Sequence, residues 1–84
     1  MIRYTLYTER KENLPELVSR YFDGATLYDA QGLWQKVLEL SAAIVILGSE
    51  EDESRVLDLA ATIKRENEQQ ALIMEKESVE VAYC

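Results

Sequence analysis

The sequence predicts a single α+β domain in which strands and helices follow the order β-α-β-β-α-β. Three observations carry that prediction: polar/apolar alternation from Ile2 to Thr8, apolar stripes at helical spacing in Leu14–Phe22 and Val56–Ile63, and the unbroken apolar run Ala42–Leu47. Eighty-four residues, 48% hydrophobic and 30% charged with only three Gly and one Pro, suit one folded unit over residues 1–84.

Each element has its own local reason. In Ile2–Thr8 the residues Ile2, Tyr4, Leu6 and Thr8 alternate with Arg3, Thr5 and Tyr7, and β-branched and aromatic residues are frequent, which predicts a strand with one buried face. After the polar stretch Glu9–Glu12, Asn13 is placed to cap a helix, Pro15 suits its first turn and Glu16 complements its dipole. Leu14, Leu17, Val18, Tyr21 and Phe22 form one stripe, so a helix of about ten residues is expected, stopped at Gly24. Ala25–Tyr28 is strand-like, Asp29-Ala30-Gln31-Gly32 carries turn chemistry, and Leu33-Trp34-Gln35 starts the return of a hairpin. Val37–Leu47 reads as a long third strand, with a helical start over Gln35–Leu40 as the alternative.

Gly48 closes that strand, and Ser49-Glu50-Glu51-Asp52 is a hydroxyl cap with an acid three residues on. The second helix follows, with Val56, Leu57, Ala60 and Ile63 as its core face and Leu59 on the flank; acids lead and Lys64 and Arg65 trail, matching the dipole. Asn67–Gln70 ends it. Ala71–Met74 is expected as a fourth strand, Glu75–Ser78 as a turn and Val79–Tyr83 as an extra short strand.

That order is the ferredoxin-like, or split βαβ, arrangement: two helices on one face of an antiparallel sheet, joined by right-handed crossovers. The other face has no cover. Arg3 and Tyr7 point away from Tyr4 and Leu6, and the third strand is apolar on both sides, so the open face carries more apolar area than water tolerates. A chain this short buries only roughly 60–65% of its surface by itself, so self-association is expected. The candidate interface residues are Tyr4, Tyr7, Trp34, Val37, Leu38, Leu40, Ala43 and Val45. Trp34 is the natural anchor, although a hairpin Trp packs equally well on its own sheet.

Composition excludes much else. Sixteen acidic against nine basic residues give a net charge of −7, which repels nucleic-acid phosphates and anionic lipid, and no basic patch offsets it. With no His in the chain, imidazole catalysis and His-ligated metal sites are excluded. Cys84 is the single cysteine and cannot form an intramolecular disulfide. Met1–Leu6 has none of the features of a secretory signal, and the six apolar residues Ala42–Leu47 fall short of the about 20 a membrane helix needs, so a reducing cytoplasm is the expected setting.

Three constellations suggest chemistry and have simpler structural readings. The acids Glu50–Glu53 lie where a helix start splays its side chains instead of converging them on a cation. Arg10 and Lys11 beside Asn13 suggest an anion site, but Glu9, Glu12 and Glu16 cancel their charge. Tyr4, Tyr7, Tyr28, Trp34 and Tyr83 suggest base stacking, which an acidic chain does not support.

The element order, the Gly24-Ala25-Thr26-Leu27-Tyr28 entry into a hairpin, and Trp34-Gln35 before a long apolar strand resemble the PII-like α/β superfamily, which includes nitrogen-regulatory PII and CutA divalent-ion tolerance proteins. The resemblance implies a homotrimer with sheets packed about a threefold axis. The chain departs from those families in the six-residue spacing of Tyr28 and Trp34, in Lys36 where a Gly stands, and in lacking a long effector loop and a Gly-rich nucleotide loop. Fold and trimer carry over; catalytic, cofactor and metal sites do not, and no cofactor is implied. The expected function is a non-enzymatic homotrimeric module, with Lys36–Ala43 offering a second apolar surface to another protein or to a larger particle, natural or engineered. The alternative is a PII- or CutA-like sensor of a small ligand or metal ion.

Overall fold

A computed structural model describes all 84 residues, in the order β1 (Ile2–Glu9), α1 (Leu14–Ser19), β2 (Thr26–Trp34), β3 (Val37–Gly48), a single 3₁₀ turn (Glu50–Asp52), α2 (Glu53–Glu66) and β4 (Ile73–Ser78). The strands form one antiparallel sheet in the order β2-β3-β1-β4, the ferredoxin-like topology that the sequence predicts. No helix is long and apolar enough to cross a membrane.

The core lies between the sheet and the two helices. Tyr4 and Leu6 of β1 and Ile44 and Ile46 of β3 project from one side of the sheet onto Leu14, Leu17, Val18, Val56, Leu59 and Ile63 of the helices. The Tyr4 hydroxyl donates to the Ser49 carbonyl at 2.7 Å, so a polar atom that burial would otherwise orphan closes the β3–α2 corner. At the same corner Asp52 accepts from the Ser49 backbone amide at 2.8 Å, completing the expected capping box. A Cβ at Gly48 would collide with the Asp52 carboxylate, which explains the glycine there.

Several local expectations are corrected. α1 has six helical residues, not about ten; the chain makes one more turn, with the amides of Tyr21 and Phe22 both bonding Val18 O at 3.0 Å, so the last two members of the stripe still pack on the core. Gly24 therefore lies beyond the helix end and has an ordinary negative φ. Asn13 occupies the cap position, but its side chain donates to Asn67 Oδ1 at 2.7 Å instead of capping. On α2, Leu59 is buried and Leu57 is exposed, the reverse of the expected order, because Leu59 shares a face with Val56 and Ile63 at spacings of three and four. β4 begins at Ile73 and runs through Glu75–Ser78, so those residues are not a turn: Arg3 opposite Glu77 and Thr5 opposite Glu75 hold them in the ladder. Val79–Tyr83 forms no strand within the chain.

The largest correction concerns the hairpin. Asp29–Gly32 continues β2, and the reversal is the two-residue turn Gln35-Lys36 between the paired Trp34 and Val37. Both turn residues are left-handed, with φ 50° and 65°, the geometry that matches the twist of an antiparallel ribbon and that glycine adopts most readily. Cross-strand partners override the local turn chemistry of Asp29 and Gly32, which sit opposite Ala42 and Glu39.

Candidate assembly surface

Side-chain alternation divides the sheet into two faces. On the face away from the helices, β1 contributes Arg3, Thr5 and Tyr7, β3 contributes Val45 and Ala43, and β2 contributes Tyr28, while Ile73 lies opposite Tyr7 on β4. No helix covers this side. Ala43 is fully buried all the same, a small side chain that the register sets between the larger Tyr7 and Tyr28. Charges sit at the margin: Arg3 pairs with Glu77 across the β1–β4 edge. The Glu75 carboxylate beside the Tyr7 hydroxyl, and then burial, raise the pKa of that phenol above its ordinary value, so Tyr7 stays a neutral donor in the middle of the face.

The same strands extend past the body as an arm. β1 pairs with β3 only as far as Glu9 opposite Ser41, so Gln31–Trp34 and Val37–Leu40 pair with each other alone and project about 13 Å beyond it at 3.3 Å per residue. The long axis of the molecule, 38 Å against 23 and 20 Å, reflects this projection. Arg10 stands where the arm leaves. Its guanidinium donates to Ala30 O at 3.0 Å and to Ser41 O at 3.2 Å and pairs with Asp29 at 3.2 Å, and its backbone amide bonds Leu40 O at 3.1 Å. Arg10 thus ties both strands of the arm to the end of β1, and its charge is paired with Asp29.

Both sides of the arm carry exposed apolar residues, with Glu39 on the open side and Gln31 on the reverse. Trp34 and Val37, a directly opposed pair 66% and 61% exposed, continue the open face, whereas Leu33, Leu38 and Leu40 occupy the reverse side. Of the eight residues proposed from sequence, Tyr7, Ala43 and Val45 meet at the centre of the open face, Trp34 and Val37 extend it, and Leu38 and Leu40 lie behind the arm. Tyr4 is corrected: it is 0% exposed beneath the helices and has no access to a partner. Sequence reasoning missed Tyr28, Leu33, Leu47 and Ile73, all exposed. For Ile73 the alternation with Glu75 and Glu77 was available as a signal, and for Leu33 the misplaced turn concealed that it lies within a strand.

The acidic run has structural partners. Lys76 reaches Glu50 at 2.5 Å and Glu53 at 2.9 Å, Asp52 serves the cap, and the hydrogen bonds that Lys76 donates to those two glutamates raise its pKa well above the usual value. The contact fastens the start of α2 to β4.

No family profile matches this sequence, and no curated protein matches it. Solved structures do. A DUF3240 family protein from Shewanella baltica superposes with a TM-score of 0.72 at 8% identity, over 99% of this chain and 94% of that one. CPII, a nitrogen-regulatory PII-like protein from Thiomonas intermedia solved with ADP, AMP and bicarbonate, gives 0.66 at 17% identity, over 99% and 93%. The de novo designed protein Foldit4 gives 0.52 at 14% identity, over 94% and 96%. With the strand order and the helices on a single face, these likenesses make the fold of this chain PII-like, as the sequence resemblance implied.

Proposed function

We propose that the chain is a non-enzymatic assembly module that forms a homotrimer by burying its open sheet face. One observation carries the reading: the uncovered face and the arm that prolongs it expose Tyr28, Trp34, Val37, Leu47 and Ile73 on one side of the sheet. Single exposed apolar residues need no explanation, but two clusters on one uncovered face, Ile73 to Tyr28 across the body and the Trp34–Val37 pair at the tip, with Ser41 and Glu39 between them, have the makeup of a protein interface. The net charge of −7 argues for protein as the occupant and against nucleic acid or anionic membrane. A reducing cytoplasm fits the lone Cys84. The reverse of the arm, with Leu33, Leu38 and Leu40, is a second apolar surface through which trimers join one another or another protein in a larger particle.

Light scattering behind a sizing column at two concentrations tests this. A mass of three chains is expected, falling in Trp34→Thr/Val37→Thr, which keeps strand propensity while removing the apolar pair. A monomer at every concentration overturns it.

A second reading, a sensor of a small ligand, is favoured by the likeness to a PII-like protein solved with ADP, AMP and bicarbonate. Its test is a thermal-shift panel of those three molecules and divalent cations, in which a ligand at 100 times its Kd stabilises the fold by about 2.7 kcal/mol. No shift from any of them removes this reading.

A further inference from the structure

We infer that Val79–Cys84 of one copy adds as a fifth strand to the outer edge of β2 in a neighbouring copy. The inference rests on the assembly reading and supplies its connection.

Two unmet demands point at each other. Val79, Val81 and Tyr83 alternate with Glu80 and Ala82 in a strand pattern, yet within the chain only the first of them is held: the Val79 amide donates to Met1 O at 2.9 Å, and beyond it no strand forms. The cause is geometric. The β1–β4 ladder ends at Ile2 opposite Ser78, so residues 80–84 lie beyond it and pair with no strand of their own chain. Tyr83 is 89% exposed. At the far side of the sheet, β2 is an edge strand of nine residues whose outer backbone groups have no partner. Natural sheets guard such edges with charge, proline or brevity. β4 follows that rule, being six residues long with Glu75, Lys76 and Glu77 in its centre, while β2 carries Asp29 as its sole charge and no proline.

A chain cannot satisfy its own β2 this way. Five residues beyond Val79 span at most about 17 Å, and three strand spacings of about 4.8 Å separate β4 from β2, so crossing the sheet consumes the segment before any residue pairs. The donor is therefore another copy. Edge protection selects the acceptor: β4 sets Glu75, Lys76 and Glu77 along six residues, whereas β2 offers nine residues whose one charge, Asp29, is already paired with Arg10. In the register that sets Val79, Val81 and Tyr83 on the open face of the neighbouring sheet, they widen the apolar surface next to Tyr28 and turn Glu80 and Ala82 to the other side. Donor at one edge and acceptor at the other make a head-to-tail contact, the kind that closes into a ring.

The test compares full-length wild type with Val81→Pro, which removes one ladder N–H, and Val81→Thr, which keeps it. In the assembled wild type, amides of residues 81–83 and alternate amides of β2 are expected to be protected from hydrogen exchange, and both sets lose protection together in Val81→Pro. That variant is expected to raise the concentration of half-dissociation at least tenfold, with an unchanged melting profile for the dissociated chain, while Val81→Thr retains the assembly. An assembled wild type whose 81–83 amides exchange at free-peptide rates, or a Val81→Pro protein of undiminished mass and affinity, overturns the strand addition and leaves the assembly reading intact. A wild type that is monomeric throughout overturns both.

Discussion

On the helix side of the sheet Tyr4, Leu6, Ile44 and Ile46 lie at 2% exposure or less, while on the opposite side of the same sheet Tyr28, Leu47 and Ile73 stand open. Neighbouring residues of one strand differ in fate only because alternation sends them to different sides. The chain brings two helices to one side and nothing to the other, so apolar residues form a core in one place and stay exposed among Arg3, Glu75 and Glu77 in the other. Burial stabilises by roughly 25 cal/mol per Å², and that contribution is available to the second face only from outside the chain.

Substitutions that separate the two sides sharpen this contrast. Ile63→Ala cuts into the packed side and is expected to destabilise the folded chain by about 2–5 kcal/mol, measured by urea unfolding. Should it cost under about 1 kcal/mol, the helix side is no more a core than the open one. At the Gly48 corner the effect is smaller: Gly48→Ala displaces the Asp52 carboxylate from the cap and is expected to cost about 1–2 kcal/mol in the same measurement. On the arm the sign reverses. Lys36→Gly relieves a left-handed non-glycine residue and is expected to stabilise by up to about 1 kcal/mol, with unfolding of the dissociated chain as the measurement. A loss of stability there would show that the turn does not have this geometry.

Titration adds a contrast without a magnitude. Folding raises the pKa of Lys76, through its bonds to Glu50 and Glu53, that of Tyr4, through burial, and that of Tyr7, through Glu75. A group whose pKa rises on folding contributes stability that is whole below its unfolded value and fades as pH climbs toward the folded one. Unfolded Tyr and Lys titrate near about 10–10.4, so stability is expected to hold through neutrality and decline above about pH 10. Lys76→Met should flatten part of that decline in a pH series of thermal melts.

The fold was legible because its elements announce themselves by period: alternation in β1, stripes in α1 and α2, and the apolar run of β3 each mark type and facing. What failed was local chemistry that long-range pairing overruled. Asp29 and Gly32 look like a turn but have partners on β3, and Gln35-Lys36 looks unremarkable but bends the chain. That misplacement hid the arm's full length and with it Leu33. Tyr4 was miscounted as interface for a different reason. Alternation assigns residues to two sides, and Tyr4 was grouped with the wrong set even though it shares its side with Leu6. The departure noticed at Lys36 does have a structural meaning, since φ there is 65°, where glycine fits best.

Arg10 marks a mechanical boundary. On one side of it every strand of the β1–β3 pair has the helices behind it; on the other a two-stranded ribbon stands alone, a structure only marginally stable in water. A free subunit consequently has two melting regimes, a ribbon that opens at small free-energy cost and a body that opens only with the whole fold. A protease that grips extended backbone is therefore expected to cut the ribbon before the body, which limited proteolysis of the chain would show.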